Sequence, residues 1–149
     1  MDDGNGFIEN IVNELDVSGK IDIKEYSPLV LAYIGDAVFA LYVRTFLVSS
    51  GNAPVHKLHV RSTGFVKAKA QSDILHRIFD SLSPEEQEVV KRGRNARAGT
   101  IPKNADVIDY KYATGFESLL GLLYLKGDFA RLFEILEMSV KTDTEESKD

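Results

Sequence analysis

At 149 residues with a formal net charge of −5, the chain is sized for one domain with a proper core. It has no cysteine, which excludes a disulfide framework, a cysteine zinc site and a thiol nucleophile, and fits a reducing compartment. The charge excludes nucleic acid only until it is located: residues 1–25 hold seven acids and two lysines, residues 143–149 four acids and one lysine, and residues 26–142 hold 15 Lys/Arg against 12 Asp/Glu.

Acidic ends are commonly solvated tails, so the whole-chain balance hides a basic middle. The start, MDDGNGF, is acidic and lacks the apolar stretch of a secretory leader, so a soluble cytoplasmic protein is expected. Within residues 1–25, Phe7, Ile8, Ile11, Val12 and Leu15 form a short amphipathic piece at the edge of the body. That segment reads as an acidic N-terminal extension, residues 26–141 as the domain, and residues 142–149 as an acidic flexible tail.

Ser27 and Pro28 open a helix predicted to run to about Val48, stopped by Gly51 and Asn52. From Leu29 to Val43 every residue is apolar, Tyr or Gly except Asp36. Such a helix reads as a central one buried on all sides. The run is too short for a typical membrane span and has Asp36 in its middle, so no membrane association is expected. A carboxylate in apolar surroundings needs a cation, hydrogen bonds or protonation.

Pro54 opens the next helical region, with Gly64 expected at a bend between two helices. No acid occurs from Val48 to Ser72, while Lys57, Arg61, Lys67 and Lys69 are basic. This strip reads either as a solvated helix face or as a contact for a polyanion backbone. His56 and His59 are spaced i, i+3, but without nearby carboxylates they do not make a zinc site. Ser83 to Glu86 has capping-box spacing and starts another helix. That helix leads into VKRGRNARAGTIPKN, where Lys91, Arg92, Arg94, Arg97 and Lys103 lie between Val89 and Ala105 without an acid. Gly93, Gly99, Pro102, Asn95 and Asn104 are expected to break this stretch into a loop. Glycine admits close backbone approach and Arg offers a planar fork to phosphate oxygens. No aromatic stands among them to stack a splayed base, which suits a duplex backbone.

Asp106 caps the next predicted helix, where ATGFESLLGLLYL (113–125) has Glu117 as its one charge. Asp128 caps a last helix with Phe129, Leu132, Phe133, Ile135, Leu136 and Val140 on its apolar side. No alternating run bounded by hairpin turns occurs, so the fold class is all-α. Two lone acids on the two most apolar helices repel and raise one pKa if brought together, unless a divalent ion lies between them. The alternative is a separate hydrogen bond for each, to a cap or a Tyr. Gly35 beside Asp36, with Gly115 and Gly121 around Glu117, permits close helix approach.

YIGDAVF around Asp36, the KRGRNARAGTIPKN stretch and FESLLGLLYL, in that order, resemble the catalytic domain of ribonuclease III over roughly residues 26–140. The nearest match is its compact bacterial branch, Mini-ribonuclease III, which lacks a separate double-stranded-RNA-binding domain. The resemblance implies an all-helical homodimer that cuts double-stranded RNA with Mg²⁺, leaving 5′-phosphate and 3′-hydroxyl ends. It also implies precursor 23S ribosomal RNA as substrate, with a ribosomal protein as a candidate partner. Asp36 matches the aspartate of the GDA box and Glu117 the metal-binding glutamate of the second motif. These two are the expected catalytic and metal residues, with Thr114 orienting a water. Lys91, Arg92, Arg94, Arg97 and Lys103 are expected on the RNA, with Lys57, Arg61, Lys67 and Lys69 as weaker candidates. The chain departs from ordinary members at Thr114 and Ala32, where they have acids, and in lacking a Glu after the central helix. The thinned carboxylate set leaves a second reading, a non-catalytic dimeric binder of structured RNA in ribosome assembly. A third is a helical interaction scaffold with no RNA role.

Overall fold

In the computed structural model, which describes residues 6–17, 22–97, 101, 103 and 106–148 with side chains through Val140, every regular element among the described residues is helical. The helices are α1 (Phe7–Glu14), α2 (Pro28–Ser49), α3 (Val55–Val66), α4 (Ala68–Ile78), α5 (Pro84–Asn95), α6 (Val107–Lys126) and α7 (Phe129–Lys148). Single 3₁₀ turns at Ile23–Glu25 and Phe79–Ser81 join them. Three of them start where the sequence places a cap. Ser27 Oγ accepts from the Val30 N–H at 3.2 Å, Ser83 and Glu86 form a reciprocal capping box, and Asp106 accepts from the Asp109 N–H at 3.0 Å. Each satisfies backbone donors that a helix start would otherwise leave unpaired. Gly127, at φ 80°, closes α6 in the left-handed conformation that glycine adopts without strain.

The central helix is α6, not α2. Every α6 residue from Ala113 to Tyr124 is buried except Glu117, and α2, α4 and α5 pack around it. Two glycine contacts set how near they come. A Cβ on Gly35 would fall on the Glu117 carbonyl, and one on Gly121 on the Leu31 carbonyl, so α2 and α6 touch backbone to backbone. On the opposite side, a Cβ on Gly93 would stand 2.8 Å from the Gly115 Cα, which brings α5 equally close. The fully buried Ser118 hydroxyl donates to Pro28 O at 2.8 Å and ties α6 to the start of α2.

α2 buries one stripe, Leu31, Gly35, Phe39, Val43 and Leu47, a four-residue spacing that follows one helix face. Its other face is open: Tyr33 is 82% exposed, Leu41 53% and Val48 59%. The expectation of burial on all sides is therefore corrected. A run that is apolar at every position has no periodicity, so its sequence does not distinguish a core face from an unpartnered one. At 22 residues the helix is also long and apolar enough to cross a membrane, by length and composition alone. Here it is a wall of the bundle, with its buried stripe on α6. Phe39 and Phe116 meet edge to face at 5.3 Å and are completely buried, so they belong to the core and not to any interface.

Three boundaries differ from expectation. The break between α3 and α4 falls at Lys67 (φ −65°, ψ 155°), and Gly64 lies inside α3 with open space around it. α5 continues through Gly93 to Asn95, so Lys91, Arg92 and Arg94 stand on a helix; α6 needs the missing side chain of Gly93 for packing, not for a turn. Gly99, Pro102 and Asn104 lie outside the described residues. α7 continues to Lys148, where the sequence reads as a flexible tail. At the N-terminus, Val12 is buried in the main core and Ile23 packs with Leu31 and Leu122, so the acidic extension contributes to the body.

Candidate active site

Asp36 lies one residue past the glycine where α2 touches α6, and Glu117 supplies the carbonyl that is touched. The crossing therefore puts both carboxylates on the same rim. They are near enough for the Asp36 carboxylate to act on Glu117. Asp36 is exposed and Glu117 partly buried. Burial, then the adjoining Asp36 carboxylate, push the Glu117 pKa up to about 8, against a smaller lowering by the Gln71 amide. Both readings the sequence leaves open find support: Asp36 acts on Glu117, and Glu117 also accepts a separate hydrogen bond from Gln71. Among the described residues no third His, Cys, Asp or Glu joins them.

The neighbour the sequence did not suggest is Gln71 of α4, which is 1% exposed. Its Nε2 donates to Val66 O at 2.8 Å and to Glu117 Oε2 at 3.2 Å. Its Oε1 is buried with no partner among the described residues. The set around the rim is thus two carboxylates and a carboxamide, all oxygen donors, the chemistry that suits a hard divalent cation rather than zinc or copper. A buried oxygen left without a partner on the residue that holds Glu117 is one that such a cation, with its hydration shell, could satisfy.

Thr114 is 8% exposed and its hydroxyl donates to Tyr110 O at 3.0 Å. It lines a cavity of about 310 Å³ with Gly93, Ala96, Arg97, Tyr110 and Lys111, and makes no hydrogen bond to Asp36 or Glu117. Ala32, one turn before Asp36, is buried.

The basic residues fall into two groups. Lys91, Arg92 and Arg97 are exposed at the end of α5 and just beyond it, and Lys103 is exposed farther along. Arg94 is half-buried, its guanidinium 5.7 Å from the centre of the Tyr112 ring. His76 of α4 lies against the same ring at 4.4 Å, so α4, α5 and α6 meet in a His–Tyr–Arg stack that sequence reasoning missed. Lys57, Arg61, Lys67 and Lys69 are exposed on α3 and the start of α4. Lys69 pairs with Asp73 at 3.2 Å; that half-neutralised charge is the weakest candidate for a phosphate contact. Lys111 is an additional cation at the cavity beside Arg97.

A family profile described as "Ribonuclease III domain" matches residues 29–128 of the chain. A Mini-ribonuclease 3 of Thermoanaerobacter sp. (strain X514) is 52% identical over 91% of this chain and 93% of its own length. One of Clostridium tetani is 45% identical over 87% of each chain. A crystal structure of a Fusobacterium nucleatum protein superposes with a TM-score of 0.73 at 32% identity, covering 82% of this chain and 98% of that one. With the helical fold and an oxygen-donor rim at the α2–α6 crossing, these matches place the chain in the ribonuclease III family, as a metal-dependent endoribonuclease of the Mini-ribonuclease 3 branch.

Proposed function

We propose that this chain cuts both strands of double-stranded RNA in a Mg²⁺-dependent hydrolysis centred on Asp36 and Glu117, and that it trims the duplex ends of precursor 23S ribosomal RNA. The observation that carries this reading is the meeting of those two carboxylates at a helix crossing where only glycine fits. Asp36 and Glu117 would hold the ion, and Gly35 keeps them at that spacing. When bound, a divalent ion lowers the pKa of a water that attacks phosphorus and stabilises the leaving 3′ oxygen. Products with 5′-phosphate and 3′-hydroxyl ends follow from that direction of attack.

Lys91, Arg92, Arg94, Arg97 and Lys103 would grip the phosphate backbone, with Lys57, Arg61 and Lys67 extending the contact. Duplex RNA is read through its shape and 2′-hydroxyls more than through base edges. Two cuts in one duplex require two centres, which a two-fold dimer supplies. The dimer face we propose is the exposed side of α2 with the adjoining part of α7. There Ile34, Val38, Leu41 and Phe133, with Phe7 and Ile11 of α1, line an apolar groove of about 390 Å³. Leu41 and Phe133 are each 53% exposed, an apolar patch that a lone chain leaves in water. A ribosomal protein is retained as a candidate partner and the cytoplasm as the compartment.

The test is incubation of purified protein with a perfect RNA duplex and Mg²⁺. The reading expects cuts in both strands that vanish in Asp36→Asn while duplex binding persists. Binding without cuts by the unaltered chain would instead support the non-catalytic RNA binder.

A further inference from the structure

The ion site proposed above has two acids, and no third joins them among the described residues. The break at Lys67 supplies another group. Where α3 ends, the Val66 carbonyl loses its helical partner, and the Gln71 side chain turns back to donate to it at 2.8 Å. The same nitrogen donates to Glu117 Oε2 at 3.2 Å. Rotating the amide by a half-turn would set its oxygen against the Val66 carbonyl, which can only accept, so that carbonyl fixes the orientation. The carbonyl half is left buried and without a donor among the described residues. A residue placed only to cap Val66 has no reason to leave its own oxygen buried and unmet while its nitrogen holds Glu117. Buried polar oxygens in native proteins are nearly always satisfied, by protein, water or an ion.

We propose that Gln71 is the third oxygen of the divalent-ion site, its Oε1 accepting from the ion's hydration shell while its Nε2 holds the Glu117 carboxylate in place. This inference rests on the ion-site reading of Asp36 and Glu117 and adds to it a neutral contact in the place of a third acid. A carboxamide adds an oxygen without adding a third acid to the ion-free rim.

The experiment is Mn²⁺ binding without RNA, followed by isothermal titration calorimetry and by electron paramagnetic resonance of free Mn²⁺, on the full chain. Four proteins are compared: unaltered, Asp36→Asn, Gln71→Met and Gln71→Glu. The unaltered chain binds Mn²⁺, Asp36→Asn loses binding, and Gln71→Met, which keeps the side-chain volume, weakens it by about tenfold. Gln71→Glu lowers the ion-free melting temperature through added carboxylate repulsion and shows a larger Mn²⁺-induced rise than the unaltered chain. If Gln71→Met does not fold, the Gln71→Glu comparison decides alone. Unchanged Mn²⁺ affinity in Gln71→Met, or a Gln71→Glu melting temperature lowered equally with and without Mn²⁺, would overturn the role of Gln71 and leave the ion site standing. An unaltered chain that binds no Mn²⁺ would overturn the ion site and this inference together.

Discussion

The backbone carbonyl of Glu117 occupies the space where a Cβ on Gly35 would stand. That relationship sets the spacing of α2 and α6, and through it the distance between the two acids. Gly35→Ala therefore forces backbone apart from backbone. We expect a loss of about 1–3 kcal/mol of stability, measured by urea denaturation, and a larger loss of duplex cleavage than of duplex binding. Unchanged stability and cleavage would mean that α2 and α6 tolerate separation.

The Glu117 carboxyl, raised to about 8 mainly by burial and then by Asp36, gives a pH dependence with a definite sign. Between its ordinary carboxylate pKa and about 8, the folded chain holds a proton that the unfolded chain has released. Stability from this group is thus complete below the unfolded pKa and is lost as pH rises through the folded one. In chelator-treated protein, the melting temperature should fall between about pH 5 and pH 8, and Glu117→Gln should flatten that fall. Added divalent ion should reduce the fall too, since binding replaces the proton.

Glu86 behaves oppositely. Its hydrogen bond to Arg131 is the largest cause of a lowered pKa, with Arg131 Nη2 at 2.8 Å and the same guanidinium on Ser81 O at 3.0 Å. This pair, largely out of solvent, fastens α7 to the start of α5, the helix that presents Lys91 and Arg92. Stability from Glu86 is present above the unfolded carboxylate pKa and is lost as pH falls through the folded one. Arg131→Met should cost about 1–3 kcal/mol near neutral pH, read by thermal melting, with the deficit shrinking in acid.

Replacing Arg92 and Arg97 by Ala should weaken duplex binding and flatten its salt dependence by roughly one logarithmic unit of slope for each phosphate left without its cation. Lys69→Ala should change it least, because Asp73 already pairs that ammonium. Filter binding across a salt series measures both. Equal effects at Arg92 and Lys69 would move the RNA path from α5 toward α3 and α4.

Leu41→Glu puts a charge into the apolar groove lined by α1, α2 and α7 and should convert a dimer to monomers, followed by sedimentation equilibrium. Double-strand cleavage should fall with dimer content. A monomeric unaltered chain that still cuts both strands would contradict the dimer face.

Asp36 and Glu117 were legible in the sequence because each is a lone charge in an otherwise apolar helix. The capped helix starts were legible for a similar reason, since Ser27, Ser83 and Asp106 are residues whose side chains bond backbone donors locally. Gln71 was less visible, being uncharged, although it lies three, four and seven residues before Ile74, Leu75 and Ile78, in the register of the buried stripe. The division of α2 into a buried and an open face could not be read from a stretch apolar on every side. The placement of Lys91 and Arg94 on a helix depends on Gly93 fitting against Gly115, a tertiary contact that makes glycine in mid-sequence resemble a loop residue.

The most direct measurement is anomalous scattering from crystals of the unaltered chain soaked in Mn²⁺. The account predicts an ion peak shared by the Asp36 and Glu117 carboxylates. Mn²⁺ bound elsewhere in crystals of protein that cuts duplex RNA, with those two carboxylates holding no ion, would contradict it.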